Sequence, residues 1–181
     1  MRYFKKIAGE RVYLSPVNPE DLALYTKWIN DPGVAKYIGQ YSHQFSLPKE
    51  RETLERMATS DDDHAFAIVL NDGDRLLGNV GINQINRNYR HGVLGVFIGE
   101  AEDRSQGFGA EAIRLVLGYA FGTLNLHSVE LFVHGDNARA IRCYEKVGFR
   151  VAGRVREAIF VGGHYVDRIS MEILESEYDA G

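Results

Sequence analysis

The sequence predicts an α/β fold, built as one mixed, mostly antiparallel sheet with helices on both faces. Two observations predict it. Three strand-like runs joined by short turns form an antiparallel meander in the middle of the chain. The order β-α-β-α-β follows, and each of its helical stretches carries apolar or capping residues at helical spacing.

The elements can be justified in order. Arg11–Ser15 alternates as a first strand. Asn18-Pro19-Glu20-Asp21 opens a helix with a capping Asn, proline at the first position and acids in the first turn, and Leu22, Tyr25, Trp28 and Ile29 form its buried face. Asp31-Pro32 starts a short second helix that reaches Ile38 and stops at Gly39, and a loop fills Gln40–Pro48. Lys49–Thr59 is a third helix with Leu54 and Met57 inward, ended by the acidic tract Ser60–Asp63. His64–Leu70, the turn Asn71–Asp74 and Arg75–Asn83 make a hairpin, and a turn at Asn86–Arg90 leads into the central strand Val93–Gly99. That strand is apolar throughout, as expected for one covered on both faces. Ala110–Phe121 is helical, with Ala110, Ile113, Leu117, Ala120 and Phe121 in phase. Ser128–His134 is a strand, and Asn137 and Gly148 frame a helix of about three turns. Phe149–Phe160 and Tyr165–Leu174 flank the turn Val161–His164 as a closing hairpin.

Length and composition bound the function. The 181 residues suit one domain over 1–181, with a core over roughly 10–175. A net charge of −4 gives no electrostatic case for nucleic acid or an anionic membrane. One cysteine, Cys143, excludes an internal disulfide framework and fits a reducing cytoplasm. No apolar run has signal-peptide or transmembrane length, so a soluble, cytoplasmic protein is expected.

Two stretches carry chemistry. Glu100–Gly109, EAEDRSQGFG, joins a strand to a helix whose first amides lack internal partners and whose dipole favours an anion. Gly107 and Gly109 remove side chains that would hold a phosphate away, and Arg104 adds positive charge. This is neither a dinucleotide fingerprint nor a P-loop. The second stretch runs from Asn137 to Phe149. Asn137 and Tyr144 are seven apart, within about 20° of one helix face and ~10 Å along it; they read equally as a cap and a core aromatic.

Together these motifs resemble the GNAT (Gcn5-related N-acetyltransferase) superfamily. Arg104, Gly107 and Gly109 fit its acyl-CoA loop, and Asn137 through Phe149 fits its Asn-Ala-Arg-Ala-Ile…Tyr-Glu-Lys-x-Gly-Phe signature. The outer segments, RVYLSPVNPEDLALYTKWINDPGVAKYI and GRVREAIFVGGHYVDRISMEIL, look like the branch holding ribosomal-protein N-terminal and polyamine acetyltransferases. The resemblance implies a sheet splayed between the family's strands four and five, with acetyl-CoA as acyl donor and no metal. It also implies a small-molecule or peptide amine as acceptor, with a homodimer as a further expectation.

By the same resemblance, the amides of Arg104, Ser105, Gln106, Gly107, Phe108, Gly109 and Ala110 would hold the pyrophosphate. Backbone groups around Phe97 and Ile98 would pair with the pantetheine and acyl carbonyl. Asn137 would bond the pantetheine arm, and Tyr144 would protonate the departing sulfur, a phenol near pKa 10 suiting a thiolate of comparable basicity. Of the basic stripe Arg139, Arg142 and Lys146, one residue could meet the 3′-phosphate. Where some family members carry a glutamate base, this chain has Val93. His91, two residues earlier, is a candidate base; a hairpin-turn role for it, or a water chain in its place, stays open. The preferred acceptor is cationic, a polyamine or peptide α-amine, met by aromatics (Tyr25, Trp28, Tyr37, Tyr41, Phe45) and acids (Asp31, Glu50, Asp61–Asp63). An amino sugar or antibiotic acceptor, or a non-catalytic acyl-CoA sensor, are the alternatives.

Overall fold

The computed structural model describes residues 2–178. A two-residue strand, β1 (Ile7–Ala8), precedes β2 (Val12–Pro16) and pairs with it. It is too short to leave a periodic signal. Asn18 caps the 3₁₀ turn Pro19–Asp21, its side chain accepting from the Glu20 amide, and α1 (Leu22–Asn30) continues from it.

The second helix is shorter than its pattern predicts. α2 covers Pro32–Ala35, and the chain then tightens, the Tyr37 amide bonding Val34 three residues back and the Gln40 amide bonding Ala35. Gly39, at φ 75°, ends the turn. Conversely, α3 (Leu47–Thr59) starts two residues early, because Ser46 caps the Lys49 amide and Pro48 is tolerated in a first turn that needs no N–H.

β3 (His64–Leu70), β4 (Leu76–Asn86) and β5 (His91–Ile98) form the meander. A register shift between Asn83 and Asn86 extends β4 and puts His91 inside β5. α4 (Phe108–Gly122), β6 (Ser128–His134), α5 (Ala138–Val147), β7 (Arg150–Val161) and β8 (His164–Leu174) complete the chain.

Among the described residues the strands make one sheet of order β1-β2-β3-β4-β5-β6-β8-β7, antiparallel except for β5 with β6. Alternation sorts the strand side chains between two cores. Val12, Leu14, Ile68, Val80, Ile82, Leu94, Val129, Leu131 and Met171 face α4, whose Ile113, Val116, Leu117 and Ala120 pack onto them, with α5 beside it. Tyr13, Ala67 and Val69 face α1 and α3 through Tyr25, Trp28 and Leu54. Each fully buried aliphatic side chain contributes about 1.5–3 kcal/mol. The helices therefore hold the sheet from both sides, as expected.

Candidate functional site

β5 and β6 pair over three residues only, His91–Val93 with Ser128–Glu130. Beyond Val93 and Glu130 the strands part, and alternate backbone groups on each facing edge lose their ladder partner. Buried backbone groups need partners, so this gap is a place where an extended ligand can bond to the sheet. Val96, Phe97 and Ile98 line one side of the resulting cavity, and Phe132 and Val133 line the other.

The loop after β5 closes one end. Gly99 lies against Trp28 so closely that a Cβ there would overlap the indole. Glu100 accepts from Trp28 Nε1 at 2.9 Å and Lys27 Nζ at 2.5 Å, fixing the loop to α1. Asp103 is buried and takes both guanidinium nitrogens of Arg75, at 2.6 and 2.7 Å. Arg104 folds back, Nε donating to the Ile98 carbonyl at 3.1 Å and Nη2 to that of Gly99. Ser105 (φ 64°) and Gly107 (φ 90°) are left-handed, and Gly107 is the N-cap of α4. Successive amides turned this way, together with the free first-turn amides of α4, make an anion nest.

α5 supplies the opposite wall. Asn137 caps it by accepting from the Ala140 amide at 3.2 Å, and Gly148, at φ 116°, ends it. Asn137, Arg139, Ala140, Cys143 and Tyr144 all line the cavity. Burial pushes the Tyr144 phenol up to about 12, with a smaller push from neighbouring Cys143. Burial likewise raises the Cys143 thiol, against the pull of Arg114, Lys146 and Arg139. The phenol is thus a weaker acid than the value near 10 expected from sequence, and it is fully protonated at neutral pH. The same dry setting makes a departing thiolate more basic, which narrows the mismatch.

Gly33, Val34, Tyr37 and Ile38, from α2 and its following turn, roof the cavity. Lys36 Nζ meets Asp136 at 2.7 Å, which raises the lysine's pKa, and Tyr37 stands edge-on to His134 at 5.6 Å. His134 is buried, its Nδ1 has no hydrogen-bond partner among the described residues, and burial lowers its pKa.

Of the predicted residues, Phe97, Ile98, Arg104, Ser105, Gly107, Gly109, Asn137 and Tyr144 meet at this cavity. The side chains of Gln106 and Phe108 turn away. Gln106 Nε2 donates to Glu102, its carbonyl accepts from Arg11, and Phe108 is a core residue under the Arg11 guanidinium. Only their backbone, with that of Ala110, remains for a ligand. Arg139 alone of the basic stripe reaches the cavity.

His91 stands apart from the lining, at the paired end of β5–β6. Its Nδ1 is 3.1 Å from Ser128 Oγ, and its Nε2 is 3.8 Å from Glu130 Oε2.

The acceptor groups expected on the first helices are mostly structural. Tyr25 and Trp28 are core residues, Trp28 at 1 % exposure. Glu50 is 1 % exposed, Asp31 caps the Gly33 amide, and Lys49 covers Phe45. Tyr37 remains at the cavity, and Tyr41 is exposed.

The sequence reading missed Asp103 and the wall residue Phe132. The Arg75–Asp103 pairing spans 28 positions, so no local signal marked it.

A family model described as "Acetyltransferase (GNAT) domain" matches residues 11–150. The chain is 29 % identical over 171 residues to the spermidine N(1)-acetyltransferase of Escherichia coli K12, covering 94 % of this chain and 90 % of that one. It is 34 % identical over 179 residues to a probable N-acetyltransferase, YjcK, of Bacillus subtilis 168, covering 94 % and 98 %. A crystal structure of a Vibrio cholerae spermidine N-acetyltransferase in complex with CoA and spermine superposes with TM-score 0.85 at 26 % identity, covering 94 % of this chain and 99 % of that one.

Proposed function

Because the chain belongs to the GNAT acetyltransferase family, it is an acetyl-CoA-dependent N-acetyltransferase, and we propose that it acetylates a small cationic amine, a polyamine ahead of a peptide α-amine. The Arg104 amide is spent on the Ala101 carbonyl at 3.2 Å, so the donor's pyrophosphate would rest on the amides of residues 105–110, and its pantetheine would bond along the open edge of β5 and to Asn137. The fit rests on features already described: an unpaired strand edge, a left-handed turn of amides, and two glycines, Gly107 and Gly109, in the cavity lining. The cosubstrate supplies the activated acyl carbon.

Tyr144 would hand its proton to the leaving sulfur. Amides along β5 would steady the charge that develops on the carbonyl oxygen. Trp28, Glu100, Arg75 and Asp103 hold the loop in place, so little reorganisation is needed on binding.

One observation carries the acceptor reading. Glu130 and Glu172 are register partners on β6 and β8, with side chains on the face turned away from α4. Like charges directly opposite cost stability, and a cation seated between them would relieve that cost. Phe132, 46 % exposed on the same face, offers an aromatic surface at the cavity wall. Arg168 stacks on that ring, so a cationic ligand would have to approach from the Glu130 side. The spermidine acetyltransferase relatives support the same class.

Thiol release from acetyl-CoA across spermidine, short peptides with free N-termini and amino sugars tests the proposal. Turnover of amino sugars, with no reaction or inhibition by the cationic amines, would end it.

A further inference from the structure

An amine that attacks a thioester must give up a proton to become an amide, and β5 offers no carboxylate to take it, since the residue at the cleft is Val93. The register supplies one from the neighbouring strand. Val93 pairs with Glu130, and this is the last pair before β5 and β6 separate. Paired residues of adjacent strands point to the same face, and Leu94, Val129 and Leu131 face the α4 core. Val93 and Glu130 therefore both project on the opposite face, at the apex of the cleft.

We propose that Glu130 is the catalytic base, accepting the proton of the attacking amine directly or through one water. This rests on the acetyltransfer reading above. The surroundings of Glu130 suit the role. Its Oε1 accepts from Ser170 Oγ, which fixes the carboxylate, while Oε2 makes no hydrogen bond among the described residues and faces His91 Nε2 at 3.8 Å. The side chain is 27 % exposed, so water reaches it. Glu130 is two residues, ~7 Å of strand, from Phe132 on the cavity wall.

The other candidates sit less well. His91 lies two pairs deeper, with Nδ1 held near Ser128. Glu100 is tied to Lys27 and Trp28 at the phosphate end. Glu50, in the first turn of α3, is buried at 1 % exposure.

Starting from the neutral amine, the nitrogen–carbon bond forms as the carbon–sulfur bond breaks. The nitrogen's proton goes to Glu130, and the proton of Tyr144 goes to sulfur. Water then returns the proton from Glu130 to the tyrosinate, so amine and thioester become amide and thiol with nothing left over.

The test uses the full chain, with acetyl-CoA and the best amine of the panel. Glu130→Gln should lose about 10²-fold in kcat and keep CoA affinity within about twofold by calorimetry, which also shows that it is folded. Glu130→Asp should recover about tenfold of that loss, and so should Val93→Glu placed in the Glu130→Gln background, where the carboxylate comes from β5 instead. The inference is overturned if Glu130→Gln retains wild-type kcat, or if neither of the other variants improves on it. Failure of the wild-type chain to release thiol with any amine would instead strike the acetyltransfer reading itself.

Discussion

Gly109→Ala separates the needs of the fold from those of the ligand. A Cβ at residue 109 would meet only Ile98 Cγ1, at 3.7 Å, an ordinary contact. The position is the second residue of α4. Alanine there reduces the freedom of the unfolded chain and improves helix propensity, a gain of about 0.4–1 kcal/mol. In a chain of this size that raises Tm by about 1–4 °C. Yet Gly109 lines the cavity, and the new methyl would stand before the first-turn amides. Losing one charge-assisted hydrogen bond to a phosphate costs about 1.5–3 kcal/mol, or about 10- to 150-fold in CoA affinity. The expected variant is more stable and binds worse. Calorimetry with CoA and thermal unfolding without ligand measure the two effects. Wild-type CoA affinity would place the pyrophosphate elsewhere, and a lowered Tm would mean that protein packing requires the glycine. Gly107 would not give so clean an answer, because its φ of 90° would strain any substituent.

Two further outcomes are expected. Tyr144→Phe should keep CoA affinity and lose about 10²-fold or more in kcat; unchanged turnover under rate-limiting chemistry would remove the phenol from its role. Glu50 is buried, its carboxyl pushed up to about 7 from 4.5 by desolvation, so the folded chain keeps a proton that the unfolded chain has lost. Stability should therefore fall as pH rises from about 4.5 to about 7 and stay low above that. Glu50→Gln should match wild type near pH 4 and exceed it by on the order of 2–3 kcal/mol at pH 8; equal denaturant midpoints at both pH values would contradict this.

Much of the site was legible because its signals are local. A capping Asn137 and a left-handed Gly148 bracket α5, and the run from Arg104 to Gly109 leads straight into α4. Each of these depends on atoms within a few residues of one another. The tighter α2 was not legible, since Lys36 and Tyr37 are held by Asp136 and His134, a hundred positions away. Nor was the structural burden carried by the aromatics of α1. Tyr25 and Trp28 alternate with polar residues as any amphipathic helix would, and nothing local tells a core face from a ligand face.

The base is the sharpest case of this boundary. Read along β5, the chain lacks a carboxylate at Val93, and the nearest titratable group is His91, two residues away. Read across the sheet, a carboxylate stands beside Val93, because Ser128 rather than a neighbour pairs with His91. A one-residue slip in that register would turn Glu130 into the α4 core, where an unpaired charge is costly, and would bring Val129 or Leu131 to the open face. Burial of Val129 and Leu131 therefore holds the register that presents Glu130. The position of a catalytic group follows here from the packing of its two apolar neighbours, information that lies in β6 but acquires meaning only once β5 is laid beside it.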